Sequence, residues 1–185
     1  MKGAIIYRGK YGATQVYATL LSHELDLPLF EETITGGQLM QEDYLLIGSA
    51  VYAGRLSLHN WLLRQENWLR TKKLFFFIVC ATPAEAKDKT AKIIADNIPL
   101  SLQHHPIVFL KGRMILHQLS WIDRQVLRLG ALLNPDKEES KKMLQDFDGV
   151  HAEQLAPLTQ AVHLWQTTEL EKQVTAPATT SLHNQ

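Results

Sequence analysis

The chain has 185 residues, 45% of them hydrophobic, and its 19 basic and 19 acidic residues give a formal net charge of zero. This length suits one compact domain, and the balanced charge excludes a global electrostatic field that would attract nucleic acid, so no nucleic-acid partner is expected. The single cysteine, Cys80, excludes an intrachain disulfide framework and fits a reducing compartment.

Short apolar runs alternate along the chain with longer segments of helical periodicity. The runs predict strands over residues 4–7, 27–31, 44–48, 74–80 and 107–110, and the periodic segments predict helices over residues 13–25, 58–69, 84–97 and 150–165. Such alternation is typical of an α/β fold whose parallel sheet is covered by helices. Residues 166–185 are polar and Thr-rich without periodicity, and we expect a disordered tail there.

Five strands in this arrangement favour a doubly wound parallel sheet of order 2-1-3-4-5. In that order, ligands bind beyond the carboxyl ends of the strands, where the winding reverses. The loops after strands one, three and four, residues 8–14, 49–55 and 81–85, are expected to meet there.

The first of these loops has the features of a phosphate site. It contains Gly9 and Gly12 and leads into a helix N terminus, where backbone N–H groups and about half a positive charge of helix dipole face an anion. Thr14 can bind phosphate or cap the helix, and Lys10 can contact phosphate or remain solvated.

The second and third loops have features that suit a planar ligand. Tyr52 can stack on such a ligand, since its two neighbours are small, or it can be partly buried in the core. Arg55 can contact the cofactor or a carboxylate-bearing substrate, or face solvent. Ser49 and Thr82 can form hydrogen bonds with the ring of such a ligand or serve as turn residues. With neither a metal-ligand spacing nor a nucleophile–base pair, we predict no metal site and assign no catalytic residue.

About forty residues separate the fifth predicted strand from the last helix, which is long for a connection. At about 100° per residue, apolar side chains fall on one stripe of this segment and polar, mainly basic ones on the opposite stripe. The apolar stripe comprises Ile115, Leu119, Ile122, Val126, Leu129 and Leu133, and the basic one Arg113, His117, Ser120, Arg124 and Arg128.

These stripes predict a basic amphipathic helix over residues 113–133, within a helical insertion over residues 111–148 between strand five and the last helix. Such a helix is typical of a segment that lies on an anionic membrane or covers an apolar substrate. The alternative is that the apolar stripe packs on the domain's own core while the arginines are solvated.

Three stretches carry a resemblance to a known family: Tyr11-Gly12-Ala13-Thr14, Ile47-Gly48-Ser49-Ala50-Val51-Tyr52-Ala53-Gly54, and Trp121-Ile122-Asp123-Arg124. In this order, with the long insertion, they resemble the flavodoxin-domain family, and within it most closely the menaquinone-dependent protoporphyrinogen oxidases of bacteria. The likeness covers residues 1–165, which we interpret as one flavodoxin-like domain that includes the insertion.

The resemblance implies an FMN cofactor whose phosphate is held by the first loop and whose isoalloxazine ring lies between the second and third. The residues implied to bind it are Arg8, Gly9, Lys10, Tyr11, Gly12, Ala13 and Thr14, then Ser49, Ala50, Val51, Tyr52, Ala53, Gly54 and Arg55, and finally Ala81 and Thr82.

The resemblance also implies a reaction and a location. Electrons would pass from a porphyrinogen-type molecule through the flavin to a membrane quinone, a step of heme biosynthesis, and the insertion would contact membrane, quinone or porphyrin. The chain has no signal pattern and no apolar run of about 18 residues, so we expect a cytoplasmic protein, peripheral at the inner face of the cell membrane.

One departure from the family pattern keeps other functions open. Flavodoxin-like loops usually carry Ser or Thr at the positions of Arg8 or Gly9, whereas only Thr14 supplies a hydroxyl here. Arg8 and Lys10 can substitute through charge-assisted bonds, or FMN binding can be weak or lost. The alternatives are a flavodoxin-type electron carrier, against which the neutral charge speaks, and a non-catalytic module without FMN.

Overall fold

A parallel sheet forms the centre of the computed structural model, which describes residues 1–34, 36–82 and 84–175. Its strands are β1 Gly3–Arg8, β2 Leu29–Glu31, β3 Tyr44–Tyr52, β4 Arg55–Leu56, β5 Lys73–Cys80 and β6 Ile107–Lys111. The parallel order is β2-β1-β3-β5-β6, and the two-residue β4 pairs antiparallel with β3. The predicted order 2-1-3-4-5 is therefore confirmed for the five parallel strands.

Helices cover both faces of this sheet. These are α1 Ala13–Leu25 and α6 Ala156–Thr175 on one face, and α2 His59–Leu69 and α3 Lys87–Asn97 on the other. Two further helices, α4 Trp121–Leu133 and α5 Lys137–Met143, lie in the insertion between β6 and α6. One core layer contains Tyr17 of α1 and Leu158 of α6, and the other contains Trp61 of α2 and Ile93 of α3. From Leu74 onward β5 is buried throughout, as expected of a central strand covered on both faces.

The structure corrects the predicted ends of two elements. β3 continues to Tyr52 instead of residue 48, because Val51 and Tyr52 pair with β4 in a hairpin. α6 continues to Thr175, so residues 166–175 are helical and the expected disordered tail is wrong there. The extension is anchored where Gln166 donates to Tyr44 Oη at 2.9 Å. Residues 176–185 lie outside the described residues.

The amphipathic helix begins later than predicted. Residues 113–120 are not part of α4, because the strands β7 Arg113–Met114 and β8 Phe147–Asp148 pair antiparallel and fix the start of the segment in an extended form. Ser120 then caps the helix, since its Oγ accepts a hydrogen bond from the N–H of Asp123 at 3.2 Å.

Tyr17 of α1 anchors both ends of this insertion. Its hydroxyl, fully buried, donates to the carbonyl of Lys111 at 2.9 Å and accepts from the N–H of His151 at 3.3 Å. The N–H of Gly149 donates to the carbonyl of Gly112 at 3.0 Å and closes the stem. Because α1 also follows the loop of residues 8–14, the insertion is held at a fixed place relative to that loop.

Candidate functional site

A cavity of about 480 Å³ lies beyond the carboxyl ends of β1, β3 and β5. This is the edge at which the sequence predicts the ligand site, and the volume is in the range of small-molecule and cofactor pockets. The predicted site residues that line it are Lys10, Tyr11, Ala13, Thr14, Ala50, Val51, Tyr52, Ala53 and Ala81.

The other predicted site residues do not line this cavity; they are Arg8, Gly9, Gly12, Ser49, Gly54, Arg55 and Thr82. Arg8 forms an ion pair with Glu32 after β2. The buried hydroxyl of Ser49 accepts a hydrogen bond from the N–H of Leu58 at 3.1 Å, immediately before the start of α2. Both side chains therefore have partners within the protein.

The N terminus of α1 has the form expected of an anion site. Gly12 occupies the cap position with φ +81°, and no described side chain caps the helix or places a carboxylate in its first turn. Backbone N–H groups of a first turn need an acceptor, and a bound phosphate would supply one. Thr14 lies in that turn, 1% exposed, among the residues that line the cavity.

Thr14 also explains the missing hydroxyl at Gly9. A Cβ atom added to Gly9 would lie 2.6 Å from Thr14 Oγ1 and 2.7 Å from Thr14 Cβ. The Thr14 side chain therefore fills the space that a serine or threonine at position 9 would take, so the two positions cannot both carry a side chain in this backbone.

A carboxylate from the insertion meets the first loop at the rim of the cavity. Asp123 of α4 forms an ion pair with Lys10 Nζ and accepts a hydrogen bond from Tyr11 Oη, which itself accepts from the N–H of Ser120 at 3.1 Å. The contact with Lys10 lowers the pKa of Asp123, and Asp123 raises the pKa of Lys10. This pairing joins residues far apart in sequence and is not predicted from it.

Tyr52 forms part of the cavity wall at the end of β3. Its ring meets that of Tyr11 edge to face, with centroids 5.8 Å apart and an interplanar angle of 68°. Burial raises the pKa of the Tyr52 phenol well above its ordinary value, so the side chain is neutral at physiological pH. Half-buried and apolar over most of its surface, the ring offers a flat wall to a planar ligand.

The turn after Tyr52 is held by a residue that is not among the predicted site residues. Ala53 and Gly54 have φ of 47° and 77°, as the central residues of a two-residue type I′ hairpin do. Asn97, buried at the end of α3, donates to the carbonyl of Gly54 at 2.8 Å and accepts from the N–H of Leu56 at 2.8 Å. The sequence indicates only that Asn97 lies near the end of a helix before Pro99, and it does not indicate a contact with the hairpin.

Cys80 lies at the end of β5 and lines the cavity beside Ala81. The residue is 5% exposed, and its thiol donates to the carbonyl of Thr82 at 3.4 Å. Burial raises the pKa of the thiol, which keeps it protonated and unreactive, as expected of a buried structural cysteine.

The insertion supplies the opposite wall of the cavity, and this wall is mostly apolar. The insertion residues that line it are Gly112, Arg113, Met114, Leu119, Asp123, Val126, Leu127, Gly130, Met143 and Phe147. Arg113 is neutralised by Asp148, whose carboxylate lies 2.8 Å from Arg113 Nε. The cavity therefore has one wall of sheet loops and one of insertion side chains.

A family model described as a flavodoxin domain matches residues 4–141, which is more than half of the chain. The chain belongs to the flavodoxin domain family. No curated protein matches this flavodoxin domain.

Solved structures similar to this flavodoxin domain include three of distant sequence. Flavodoxin 2 from Bacillus cereus is 21% identical with a TM-score of 0.42, over 68% of this chain and 91% of that one. Rubredoxin oxygen:oxidoreductase from Desulfovibrio gigas is 12% identical with a TM-score of 0.42, over 77% of this chain and only 37% of that one. A Fusobacterium nucleatum flavodoxin variant bound to flavin mononucleotide is 11% identical with a TM-score of 0.37, over 58% and 67%.

The outer face of α4 gives this flavodoxin domain an exposed apolar surface, which we call the α4 outer face. It consists of Trp121, Ile122, Leu129, Leu132 and Leu133, each between 57% and 80% exposed. The alternative in which the apolar stripe packs on the domain's own core is therefore wrong, because Ile122, Leu129 and Leu133 of that stripe are exposed. The cavity side of α4 carries Asp123, Val126 and Leu127. Among the described residues, no helix combines the length and apolar character needed to cross a bilayer.

Proposed function

We propose that this flavodoxin domain binds FMN and is an oxidoreductase that takes electrons from a porphyrinogen-type substrate and passes them to a quinone. The observation that carries the proposal is the two-walled cavity. One wall is built by loops that the family resemblance assigns to FMN, and the other by apolar side chains of the insertion. A cavity filled by the side chain of Arg8 or Tyr52 would have favoured a module that has lost its cofactor. Neither side chain fills it.

The residues present fit FMN at its phosphate end. Lys10 and Thr14, on either side of the uncapped N terminus of α1 at Gly12, both line the cavity. Together they supply backbone donors, a positive charge and a side-chain donor for a dianion. Thr14 takes the role that the missing serine or threonine has in related loops.

The residues also fit the ring of FMN. Val51, Tyr52 and Ala81 form a wall of low polarity between the second and third loops. Bound flavin would supply the electron-transfer chemistry, while the protein positions it and excludes water. Asn97 holds the hairpin that carries Tyr52 and is in this sense a positioning residue.

The insertion wall suits an apolar reduced substrate. Met114, Leu119, Leu127 and Phe147 face the same space as the proposed ring site. An electron carrier needs no substrate compartment, so this second wall favours an enzyme. The α4 outer face, flanked by the exposed Arg128, suits contact with an anionic membrane in which a quinone acceptor is dissolved.

Anaerobic reduction of the bound flavin tests this proposal. We expect a porphyrinogen to bleach the flavin absorbance of reconstituted protein, and a water-soluble quinone to restore it. Leu127→Gln, on the cavity side of α4, should slow the reduction about tenfold, since it places an unpaired amide in an apolar wall. Leu129→Gln, on the outer face of the same helix, should leave it unchanged.

Two results would contradict the proposal. Flavin that stays oxidised in the presence of porphyrinogen, yet exchanges electrons with a redox protein, would indicate an electron carrier. Equal rates for the two glutamine variants would show that the insertion wall does not contact the substrate.

A further inference from the structure

The N terminus of α4 is held on the predicted phosphate loop through a single carboxylate. Asp123 contacts both the ammonium of Lys10 and the hydroxyl of Tyr11. The N–H of Ser120 donates to the same hydroxyl at 3.1 Å. These are contacts between the first loop and a helix that also forms a wall of the cavity.

We infer that Asp123 is an internal competitor of the ligand's phosphate, so that phosphate binding at the first loop releases the N terminus of α4. This inference rests on the proposed function, since it assumes that the ligand brings its phosphate to Lys10. In the ligand-free protein the Asp123 carboxylate neutralises Lys10. A dianion placed at the α1 N terminus would be attracted by Lys10 and repelled by Asp123.

Release at this point changes access to the cavity. Lys10 and Tyr11 belong to the cofactor side, whereas Asp123, Val126 and Leu127 belong to the substrate side. The stem of the insertion stays in place, because Tyr17 bonds the carbonyl of Lys111 and β7 pairs with β8. Loading of the phosphate group therefore opens the substrate compartment at the N-terminal end of α4, and the two equilibria are reciprocally coupled.

Charge removal at Asp123 tests the competition. Asp123→Asn keeps the size of the side chain and removes its charge, so FMN and inorganic phosphate should bind about fivefold more tightly than to the wild type, as expected for one partly screened charge at short range. Glu138→Gln is the matched control. It also converts a carboxylate of the insertion to an amide, but Glu138 pairs with Lys141 on α5 and is absent from the cavity lining, so it should change neither affinity. Unchanged or weaker phosphate binding by Asp123→Asn would overturn the inference.

Hydrogen exchange of the α4 backbone gives an independent measurement. Addition of inorganic phosphate to the wild type should increase exchange at the N-terminal end of α4. Tyr11→Phe, which removes the acceptor of the Ser120 N–H and a donor to Asp123, should increase exchange there before any ligand is added. Slower exchange in α4 on phosphate addition would overturn the inference.

The affinity measurements and the hydrogen-exchange measurements together distinguish this inference from the proposed function. If FMN binds but α4 becomes more protected, the proposed cofactor stands and the competition is refuted. If no variant retains FMN while phosphate still releases α4, the competition stands and the proposed cofactor is refuted. If phosphate neither binds nor alters exchange in α4, the competition is refuted whatever the result with FMN.

Discussion

The side-chain amide of Asn97 donates a hydrogen bond to the carbonyl of Gly54 at 2.8 Å and so ties the end of α3 to the hairpin turn after β3. The same side chain accepts from the N–H of Leu56. Asn97→Ala removes both hydrogen bonds and leaves the buried N–H of Leu56 without this partner, and we expect the free energy of unfolding to fall by about 2 kcal/mol. Chemical denaturation measures this change.

Asn60→Ala, on the exposed side of α2, is the control for that substitution. It should change the free energy of unfolding by less than about 0.5 kcal/mol. Equal effects of the two alanine variants would show that the hairpin does not depend on Asn97.

The first loop should not tolerate a side chain at Gly9. The added methyl group of Gly9→Ala would lie within 2.7 Å of two Thr14 atoms, so we expect a loss of about 1 to 3 kcal/mol in stability and weaker FMN binding. Gly130→Ala in α4 places its methyl group 3.5 Å from Met143 Cε, an ordinary contact, and should be neutral or stabilising. Thermal unfolding of the two alanine variants measures both effects. A Gly9→Ala variant as stable as the wild type would contradict the close packing of Thr14 against Gly9.

The hydroxyl of Thr14 should contribute to cofactor affinity. Thr14→Val keeps the shape of the side chain and removes its donor, so we expect FMN to bind about tenfold more weakly, as the loss of one hydrogen bond to a charged group predicts. Thr159→Val replaces another buried threonine in the first turn of a helix, α6, far from the cavity lining. It should leave FMN affinity unchanged in a fluorescence titration. Equal losses of FMN affinity in the two valine variants would show that the Thr14 hydroxyl does not bind the cofactor.

The contact between Lys10 and Asp123 sets a pH dependence for α4. Lys10 lowers the pKa of Asp123 below its ordinary 3.8, so the stabilisation is complete above about pH 5 and is lost as pH falls through the folded-state pKa. Asp123 raises the pKa of Lys10 above 10.5, so the stabilisation is lost again only at higher alkalinity. Amide NMR shifts of Ser120 and Asp123 should be constant between about pH 5 and 9. A transition near neutrality would contradict this assignment.

The α4 outer face should bind anionic vesicles. Ile122→Asn combined with Leu133→Asn removes two exposed apolar side chains, and we expect sedimentation with such vesicles to fall several-fold without a change in thermal stability. Leu164→Asn, on α6 and 72% exposed, is the matched control and should sediment like the wild type. Equal sedimentation of all three proteins would refute membrane contact through α4.

Much of the fold could be predicted because its signals are local. The buried run of β5, the periodicity of α1 and the glycine-containing loop between β1 and α1 each follow from neighbouring residues. These features also predict the edge at which the cavity lies.

The rest depends on contacts between residues far apart in sequence. Arg113 pairs with Asp148 and thereby shortens the predicted helix, and Lys10 meets Asp123 across 113 residues. Nothing local to Asn97 indicates that its side chain reaches Gly54. The orientation of α4 could not be derived either, because an apolar stripe is usually buried and here it faces outward.

Flavin retention tests the central claim most directly. After incubation with FMN and desalting, the purified protein should keep one flavin per chain, seen as the visible absorbance bands of a bound isoalloxazine. A colourless protein after desalting would contradict the account, since the cavity between β1, β3, β5 and the insertion would then serve another ligand.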